Sequence, residues 1–246
     1  MANNPTIDEV RIKLYEKLKP SGWGDKLKGF LLSDDFYKIL DELYTQAQEG
    51  TRFTPTLKQV FRAFEECPYS NMHTIIIGQD PYPMHGEADG IAFSCSNTNK
   101  TAVSLRYIFG EIERTVYKDV FTKPENEPLK GALNPDLKRW SNQGILMLNT
   151  ALTTNVGKIG THYELWRPFM TYLFDILNSY NTGLIYVFLG KHAKEWSKVI
   201  GENNHKLFAT HPAYAAYSKS KTWESDNLFP KISELVLKHY GDKITW

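Results

Sequence analysis

Apolar residues occur along this chain in two patterns, one continuous and one spaced. Residues 74–77, 144–148, 184–189 and 207–209 are short apolar runs that lack polar alternation. Runs of this kind are typical of strands buried on both faces, as in parallel sheets. The sequence therefore predicts four short strands.

Between these runs, apolar residues recur at three- and four-residue steps, which is the spacing of one helix face. The first such segment carries Phe36 and Leu40 behind Ser33, and another begins at Ser104; both serines are typical N-cap residues. The predicted helices cover residues 36–47, about 56–67, 104–117, 166–177 and 192–199, with a last one around residues 228–236. Residues 121–134 are rich in Lys, Pro, Glu and Asn, which predicts a long surface loop.

Strands and helices alternate along the whole chain. This order predicts an α/β fold, a three-layer sandwich with a short, mostly parallel central sheet and helices on both faces. The chain has 246 residues, of which 41% are apolar, enough for one well-buried core. We therefore expect a single domain over residues 1–246.

The charge balance and the cysteines restrict the kind of site. Lys and Arg total 29 against 28 Asp and Glu, a formal net charge of +1, so any nucleic-acid surface must be local. Four lysines near the predicted strand ends form either such a surface or an ordinary solvated face. They are Lys191, Lys194, Lys219 and Lys221. The chain has only two cysteines and no paired metal spacing, so we expect neither an iron–sulfur cluster nor a metal site.

The N-terminal residues and the lengths of the apolar runs predict where in the cell the protein is located. The N-terminal residues lack a basic-then-apolar signal, and no apolar run approaches about 18 residues. We expect a cytoplasmic monomer without a membrane partner.

The first predicted strand continues into a short loop with candidate chemistry. Residues 78–83 are Gly-Gln-Asp-Pro-Tyr-Pro, in which two prolines fix φ and remove two backbone donors. In an open parallel sheet the strand ends face the ligand crevice, so Asp80 is a candidate site residue on a stiff loop. A proline turn in which Asp80 only caps the backbone is the alternative.

Five short motifs follow one another in the chain. They are residues 78–82 (Gly-Gln-Asp-Pro-Tyr), 90–94 (Gly-Ile-Ala-Phe-Ser), 146–150 (Leu-Met-Leu-Asn-Thr), 187–190 (Val-Phe-Leu-Gly) and 210–212 (Thr-His-Pro). In this order they resemble family 1 uracil-DNA glycosylases: the first two resemble the water-activating loop, and the others the uracil-reading strand end, the glycine-serine loop and the minor-groove leucine loop. The resemblance extends from about Thr54 to the C-terminus and leaves residues 1–53 as a poorly matched helical segment.

The resemblance implies a monofunctional DNA glycosylase for base excision repair. Such an enzyme flips deoxyuridine out of DNA and hydrolyses the N-glycosidic bond without metal or cofactor, leaving an abasic site. The cleavage draws positive charge onto the sugar and negative charge onto the base, which calls for an anion near the sugar and donors around the base. The implied catalytic residues are Asp80, which orients the water, and His211, which donates to uracil O2. A histidine that only satisfies a backbone carbonyl is the ordinary alternative.

The implied uracil-binding residues are Gln79, Tyr82, Phe93 and Asn149. The Asn149 amide offers one donor and one acceptor, which match uracil O4 and N3–H, and each group mismatched by cytosine costs about 1–3 kcal/mol. Phe93 is expected to stack on the flipped base and Tyr82 to press against C5, where thymine carries a methyl group. Gln79 is expected to contribute mainly backbone donors. Either aromatic is equally compatible with the core, and Asn149 with a simple turn.

Several positions depart from the usual form of the family. Pro83 stands where a histidine is usual, Lys191 replaces a serine, and Ala215 replaces the leucine that wedges into the vacated base stack. Tyr214 and Tyr217 flank Ala215 and are the candidate substitute wedges. The implied DNA-binding residues are Ser104, Gly190, Lys191, Pro212, Ala213, Tyr214, Ala215 and Tyr217.

The implied partner is uracil-containing DNA, single- or double-stranded. Whether a proteinaceous uracil-glycosylase inhibitor also binds is left open by the sequence. Two other functions remain: a non-catalytic DNA-binding or processivity subunit on the same scaffold, and a superfamily glycosylase for another damaged base. A binding subunit has no use for Asp80, and Tyr82 and Asn149 favour uracil as the base.

Overall fold

A four-stranded parallel sheet forms the centre of the structure, a computed structural model that describes residues 5–98, 101–117, 134–219 and 221–246. The strands are β1 (Phe53–Thr54), β2 (Thr74–Gly78), β3 (Ile145–Asn149), β4 (Thr154–Asn155), β5 (Ile185–Leu189) and β6 (His205–Ala209). The parallel sheet has the order β3-β2-β5-β6, and β1 pairs with β4 in a separate antiparallel ribbon.

All four strands of the parallel sheet end at the same edge. Gly78 is paired with Asn149 between β2 and β3, and Leu189 is paired with Ala209 between β5 and β6. Because neighbouring strands run in the same direction, the segments that follow them emerge side by side. The motifs predicted to carry the chemistry therefore meet at one edge of the sheet.

Helices flank the sheet on both faces, which confirms the predicted three-layer α/β fold. They are α1 (Ile7–Leu18), α2 (Trp23–Leu31), α3 (Asp34–Gln48), α4 (Arg62–Glu66), α5 (Val103–Thr115), α6 (Lys138–Ser141), α7 (Tyr163–Tyr180), α8 (Lys191–Glu195) and α9 (Leu228–Tyr240). Short 3₁₀ turns cover Tyr69–Asn71, Trp196–Val199 and Pro212–Tyr217. In the parts of the chain that the structure describes, none of the helices combines the length and the apolar character of a membrane span.

Aromatic side chains fill the space between the layers. Trp23 of α2 contacts the ring of Phe64 with centroids 4.9 Å apart. On the α9 side, Trp246 contacts Trp140 at 5.4 Å and Phe229 at 4.9 Å. The three N-terminal helices bury their apolar faces in the same continuous hydrophobic core as the rest of the chain.

The predicted strands are confirmed, but one predicted helix is wrong over its first half. Residues 57–61 form turns, and only Arg62–Glu66 is helical. The N–H of Ala63 donates to the Gly90 carbonyl at 3.3 Å, so this backbone group packs against the loop after β2. A tertiary contact thus overrides the helical spacing of the apolar residues.

The limits of the other predicted helices lie closer to those in the structure. Ser33 caps α3 as predicted, since its hydroxyl accepts from the Phe36 N–H at 3.3 Å. Ser104 is not an N-cap, because α5 begins at Val103 and its N-cap is Ala102. The helix predicted at 192–199 consists of α8 followed by a 3₁₀ turn. The surface loop predicted at 121–134 lies almost wholly outside the described residues.

A buried carboxylate organises the loop that follows β2. Asp89 accepts hydrogen bonds from the Ile91 N–H at 3.1 Å and from the Ser94 hydroxyl at 2.6 Å. It also accepts from the N–H and the hydroxyl of Ser96 at 2.9 and 2.6 Å. The Arg62 guanidinium lies 2.8 Å from the same carboxylate. This network holds the loop in one conformation.

The Asp89 network predicts a large effect on stability. Asp89→Asn removes the charge opposite Arg62 in a buried site, so we expect a loss of about 3–5 kcal/mol in the free energy of unfolding, measured by denaturant titration. Asp8→Asn is the matched control, because Asp8 pairs with Arg11 at the surface of α1 and is 71% exposed. Its loss should stay below about 1 kcal/mol. Equal losses in the two variants would contradict the role given to Asp89.

Candidate active site

A cavity of about 340 Å³ opens at the edge where the parallel strands end. The predicted site residues that line it are Gln79, Asp80, Tyr82, Phe93, Ser104, Asn149, His211, Ala213 and Tyr217. They come from the loop after β2, the start of α5, the end of β3 and the segment after β6. The fold therefore brings together all the predicted catalytic and uracil-binding residues.

Asp80 is held by two donors from outside its own loop. The Gly160 N–H donates to Oδ2 at 2.7 Å, and the hydroxyl of Tyr163 donates to Oδ1 at 3.1 Å. Burial raises the pKa of Asp80, while these two hydrogen bonds and the nearby His192 oppose the rise. The carboxylate thus has a fixed orientation at the cavity wall.

The end of β2 leaves room for two site side chains. A Cβ at Gly78 would lie 2.7 Å from Asn149 Oδ1 and 2.9 Å from Phe93 Cζ, too close for either to keep its place. Glycine at this position therefore lets the amide and the ring pack side by side. Asn149 lines the cavity, and its side-chain amide carries one donor group and one acceptor.

Phe93 has a backbone conformation that is rare for a large side chain. Its φ is +65°, in the left-handed region. The Phe93 carbonyl accepts from the Tyr82 hydroxyl at 2.9 Å, and the Ala92 N–H donates to the Met147 carbonyl of β3 at 3.1 Å. These contacts, with the Asp89 network, hold the strained residue in place. Strain of this kind concentrates at functional sites.

His211 offers a hydrogen-bond donor in its neutral form. Its Nδ1 accepts from the Ala213 N–H at 3.3 Å, so the neutral ring carries its proton on Nε2. Burial lowers the pKa of His211 to about 4, because the charged ring would be poorly solvated. At neutral pH the imidazole is therefore uncharged, with Nε2–H as its donor.

The 3₁₀ turn after His211 has a buried base and an exposed aromatic surface. Pro212 and Ala215 are buried, whereas Tyr214 and Tyr217 are 67% and 85% exposed. Ala215, which stands in place of the wedge leucine of the family, is only 3% exposed. This burial accounts for a small side chain. The exposed candidates for a wedge are the two tyrosines.

The described residues of this tyrosine loop, 211–219 and 221–222, are tied to the core at both ends. The indole N–H of Trp223 donates to the Thr210 carbonyl at 3.1 Å. Two residues after Trp223, the N–H and the hydroxyl of Ser225 donate to the buried Glu111 of α5 at 3.0 and 2.5 Å. The exposed tyrosines therefore project from a loop whose base is fixed.

Three of the residues predicted to bind DNA lie near the cavity or its rim. Gly190 has a φ of +94°, and a Cβ there would lie 3.0 Å from the Cβ of His211, so a larger residue would be strained. Lys191 follows as the first residue of α8 and is exposed. Ser104 is the second residue of α5 and lines the cavity. Their contacts with DNA remain predictions.

The groups that hold Asp80 belong to none of the sequence motifs. Gly160 and Tyr163 lie between β4 and the first turn of α7, and His192 lies in α8. Tyr163 is 83 residues from Asp80 in the chain. Neither spacing nor composition marks this contact, and the predicted start of α7 at Trp166 leaves Tyr163 outside the helix.

Comparison with known proteins assigns the family. The model of the uracil DNA glycosylase superfamily matches residues 64–235, well over half of the chain. The chain belongs to the uracil DNA glycosylase superfamily. The match contains all five motifs, and residues 1–53 lie outside it.

Relatives in the superfamily cover nearly the whole chain. A uracil-DNA glycosylase of Acinetobacter baumannii (strain SDF) is 28% identical over 241 residues, 97% of each chain. One of Escherichia coli O157:H7 (strain EC4115 / EHEC) is 29% identical over 226 residues, 91% of this chain and 93% of the relative.

Solved structures share the superfamily fold. The crystal structure of mimivirus uracil-DNA glycosylase superposes with a TM-score of 0.78 at 24% identity, covering 94% of this chain and 88% of that one. Mimivirus UNG Y322L in complex with UGI superposes with a TM-score of 0.77 at 23% identity, covering 93% and 90%. This likeness confirms the fold.

The burial of His211 predicts how the protein responds to acid. We expect ¹⁵N NMR to show a neutral ring at pH 7 and a titration midpoint near pH 4. A histidine in the unfolded chain has a pKa of about 6.5, so below this pH the unfolded state binds a proton that the folded state does not. The free energy of unfolding therefore decreases as the pH falls from about 6.5 to about 4. His211→Asn assigns the signal and should reduce this loss. A midpoint near 6.5 would contradict the buried neutral ring.

Proposed function

We propose that this protein is a uracil-DNA glycosylase that hydrolyses the N-glycosidic bond of deoxyuridine in DNA. The observation that carries the proposal is the presence of the Asp80 carboxylate and the neutral His211 imidazole on the wall of one cavity. The cavity volume of about 340 Å³ lies in the range of small-ligand sites, and the Asn149 amide completes its polar groups. Relatives named uracil-DNA glycosylase that cover over nine tenths of the chain support the same activity.

The two catalytic groups match the charges that develop in the reaction. As the bond to C1′ breaks, its electron pair leaves with uracil and the sugar becomes cationic. Asp80 stabilises the cation by a fixed negative charge and orients the water whose oxygen bonds to C1′; the carboxylate takes the proton that this water loses. His211 Nε2–H donates to uracil O2, where negative charge accumulates. A neutral imidazole serves here as a hydrogen-bond donor that loses no proton.

The base is selected by one amide and two rings. Asn149 donates to O4 and accepts from N3–H of uracil, whereas cytosine presents the reverse pattern, at a cost of about 1–3 kcal/mol per unpaired group. The fixed ring of Phe93 provides a stacking face for the flipped base. The Tyr82 hydroxyl is tied to the Phe93 carbonyl, so its ring stays where a C5 methyl group would need space.

DNA is engaged around the rim of the cavity. We assign phosphate contacts to Ser104, Gly190 and Lys191, and contacts with neighbouring bases to the exposed Tyr214 and Tyr217. A proteinaceous inhibitor is a second proposed partner, because a mimivirus UNG variant in the same fold forms a complex with UGI.

A non-catalytic DNA-binding subunit is the main alternative function. Such a protein needs an exposed DNA surface but no buried carboxylate of fixed orientation. The two hydrogen bonds that Asp80 accepts from Gly160 and Tyr163 favour catalysis.

A labelled oligonucleotide with a single uracil tests the function. We expect alkali-sensitive abasic sites after incubation in excess EDTA, since the catalytic charges are side chains of the protein. Asp80→Asn and His211→Ala should each slow single-turnover cleavage at least about a hundredfold with little change in DNA affinity, because both groups act in the transition state. Asp35→Asn, a change to a 60% exposed side chain in α3, is the matched control.

Three results would contradict this proposal. DNA binding without cleavage by the intact protein would support the non-catalytic subunit. Cleavage at another damaged base, with uracil left intact, would support a different glycosylase. Equal losses of affinity and cleavage in Asp80→Asn would remove the carboxylate from the chemical step.

The exposed tyrosines predict a dependence on the second DNA strand. Extruding a paired base costs a few kcal/mol, and a ring stacked on a neighbouring base offsets about 1–3 kcal/mol of this. One of the two rings is expected to fill the gap that the extruded base leaves. Replacing that ring, by Tyr214→Ala or by Tyr217→Ala, should therefore slow duplex cleavage about tenfold more than single-strand cleavage. Tyr180→Ala is the control, because Tyr180 is 68% exposed at the end of α7. Single-turnover rates with and without the complement measure the ratio, and an unchanged ratio in both loop variants would exclude the loop from base extrusion.

A further inference from the structure

Tyr163, which no sequence motif includes, contacts the proposed catalytic carboxylate. Its hydroxyl donates to Asp80 Oδ1 at 3.1 Å and accepts from the side-chain amide of Gln79. Its ring stacks on His192, with centroids 4.9 Å apart and planes inclined by 27°. The residue is thus fixed through both its polar and its aromatic parts.

The hydrogen bonds set the direction of the Tyr163 proton. A phenol has a single proton to donate. Because the Gln79 amide donates to the phenol oxygen, that proton is directed to Asp80. Burial raises the pKa of Tyr163, and the charge of Asp80 raises it further, so the phenol stays protonated at neutral pH. Tyr163 therefore remains a donor under working conditions.

Among the described residues, each oxygen of the Asp80 carboxylate has one donor. Gly160 N–H binds Oδ2 and the Tyr163 hydroxyl binds Oδ1. A carboxylate accepts about four hydrogen bonds, so acceptor positions remain for water. Two donors on different oxygens oppose rotation of the group about its Cβ–Cγ bond. The direction of the remaining acceptor positions thus depends on Tyr163.

We propose that Tyr163 is a positioning residue, which holds the Asp80 carboxylate in the orientation that receives the attacking water, a role that rests on the proposed function of the site. Its hydroxyl acts only through Asp80. His192 braces the ring by stacking, which links Asp80 to the first turn of α8, directly after Gly190.

Loss of the Tyr163 hydroxyl should change the pH below which cleavage fails. The titratable groups around Asp80 are Tyr163 on α7, His192 on α8 and, on the wall of the same cavity, His211 after β6. The Tyr163 hydrogen bond favours the charged carboxylate, so its removal raises the pKa of Asp80. Because Asp80 acts in its ionised form, cleavage by the variant should then begin to fail at a higher pH.

Tyr163→Phe tests the role, since it removes the hydroxyl and keeps the stacked ring. We expect single-turnover cleavage of a uracil oligonucleotide to slow about tenfold at neutral pH, with unchanged DNA affinity and an acid limb displaced to higher pH. Tyr172→Phe is the matched control on the same helix, where the ring packs on Phe30 at 5.4 Å. Its rate and pH profile should equal those of the intact protein.

A double variant distinguishes positioning from an independent contribution. In an Asp80→Asn background, Tyr163→Phe should add little further slowing, because the carboxylate through which the hydroxyl acts is already gone. The full tenfold slowing in that background would overturn the proposal.

The Asp80 titration can also be followed without DNA, by ¹³C NMR of its carboxyl carbon. Its midpoint should lie at higher pH in Tyr163→Phe than in the intact protein. If the intact protein releases uracil while the variant keeps the same rate, pH profile and midpoint, the positioning role is wrong and the proposed function stands. If the intact protein releases no uracil, both fail, even when the midpoint moves.

Discussion

The parallel pairing of Gly78 with Asn149 is the constraint on which the cavity depends. Because of this pairing, β2 and β3 end side by side at the same edge of the sheet. The loop that carries Asp80 therefore starts next to the side chain of Asn149. Only a residue without a side chain fits there, because Asn149 and Phe93 occupy the space that a Cβ would need. A shift of one residue in this register would turn the amide to the other face of the sheet. Register and side-chain volume together therefore decide which groups the cavity contains.

The loop after β2 uses two carboxylates in opposite ways. Asp89 is fully buried among hydrogen-bond donors and Arg62, so it serves to fix the loop. Asp80 accepts from one donor on each oxygen and keeps open positions toward the cavity. A rigid support thus lies nine residues from a carboxylate that lines the cavity. The same fixed loop maintains the left-handed backbone of Phe93.

Much of the fold could be predicted because its signals are local. The apolar run at 74–77 followed by Gly-Gln-Asp-Pro defines both a strand and the point where it ends. Asn149 closes another apolar run in the same way, and His211 follows a third. Ala215 and Tyr163 are different, since the burial of one and the hydrogen bond of the other depend on how α5 and α7 pack. The turns at 57–61 are also set from outside, by contact with Gly90. Side-chain direction across elements is the information that a single sequence lacks.

The anchoring of the tyrosine loop separates a fixed base from a side chain that is open to substitution. Trp223 and Ser225 attach its base to the core, while Tyr214 and Tyr217 occupy an exposed surface. The side chain of Tyr214, which is exposed and outside the cavity wall, can therefore be exchanged without disturbing His211. Substitution at that position changes the surface that the loop presents to its surroundings, while the composition of the cavity wall stays the same.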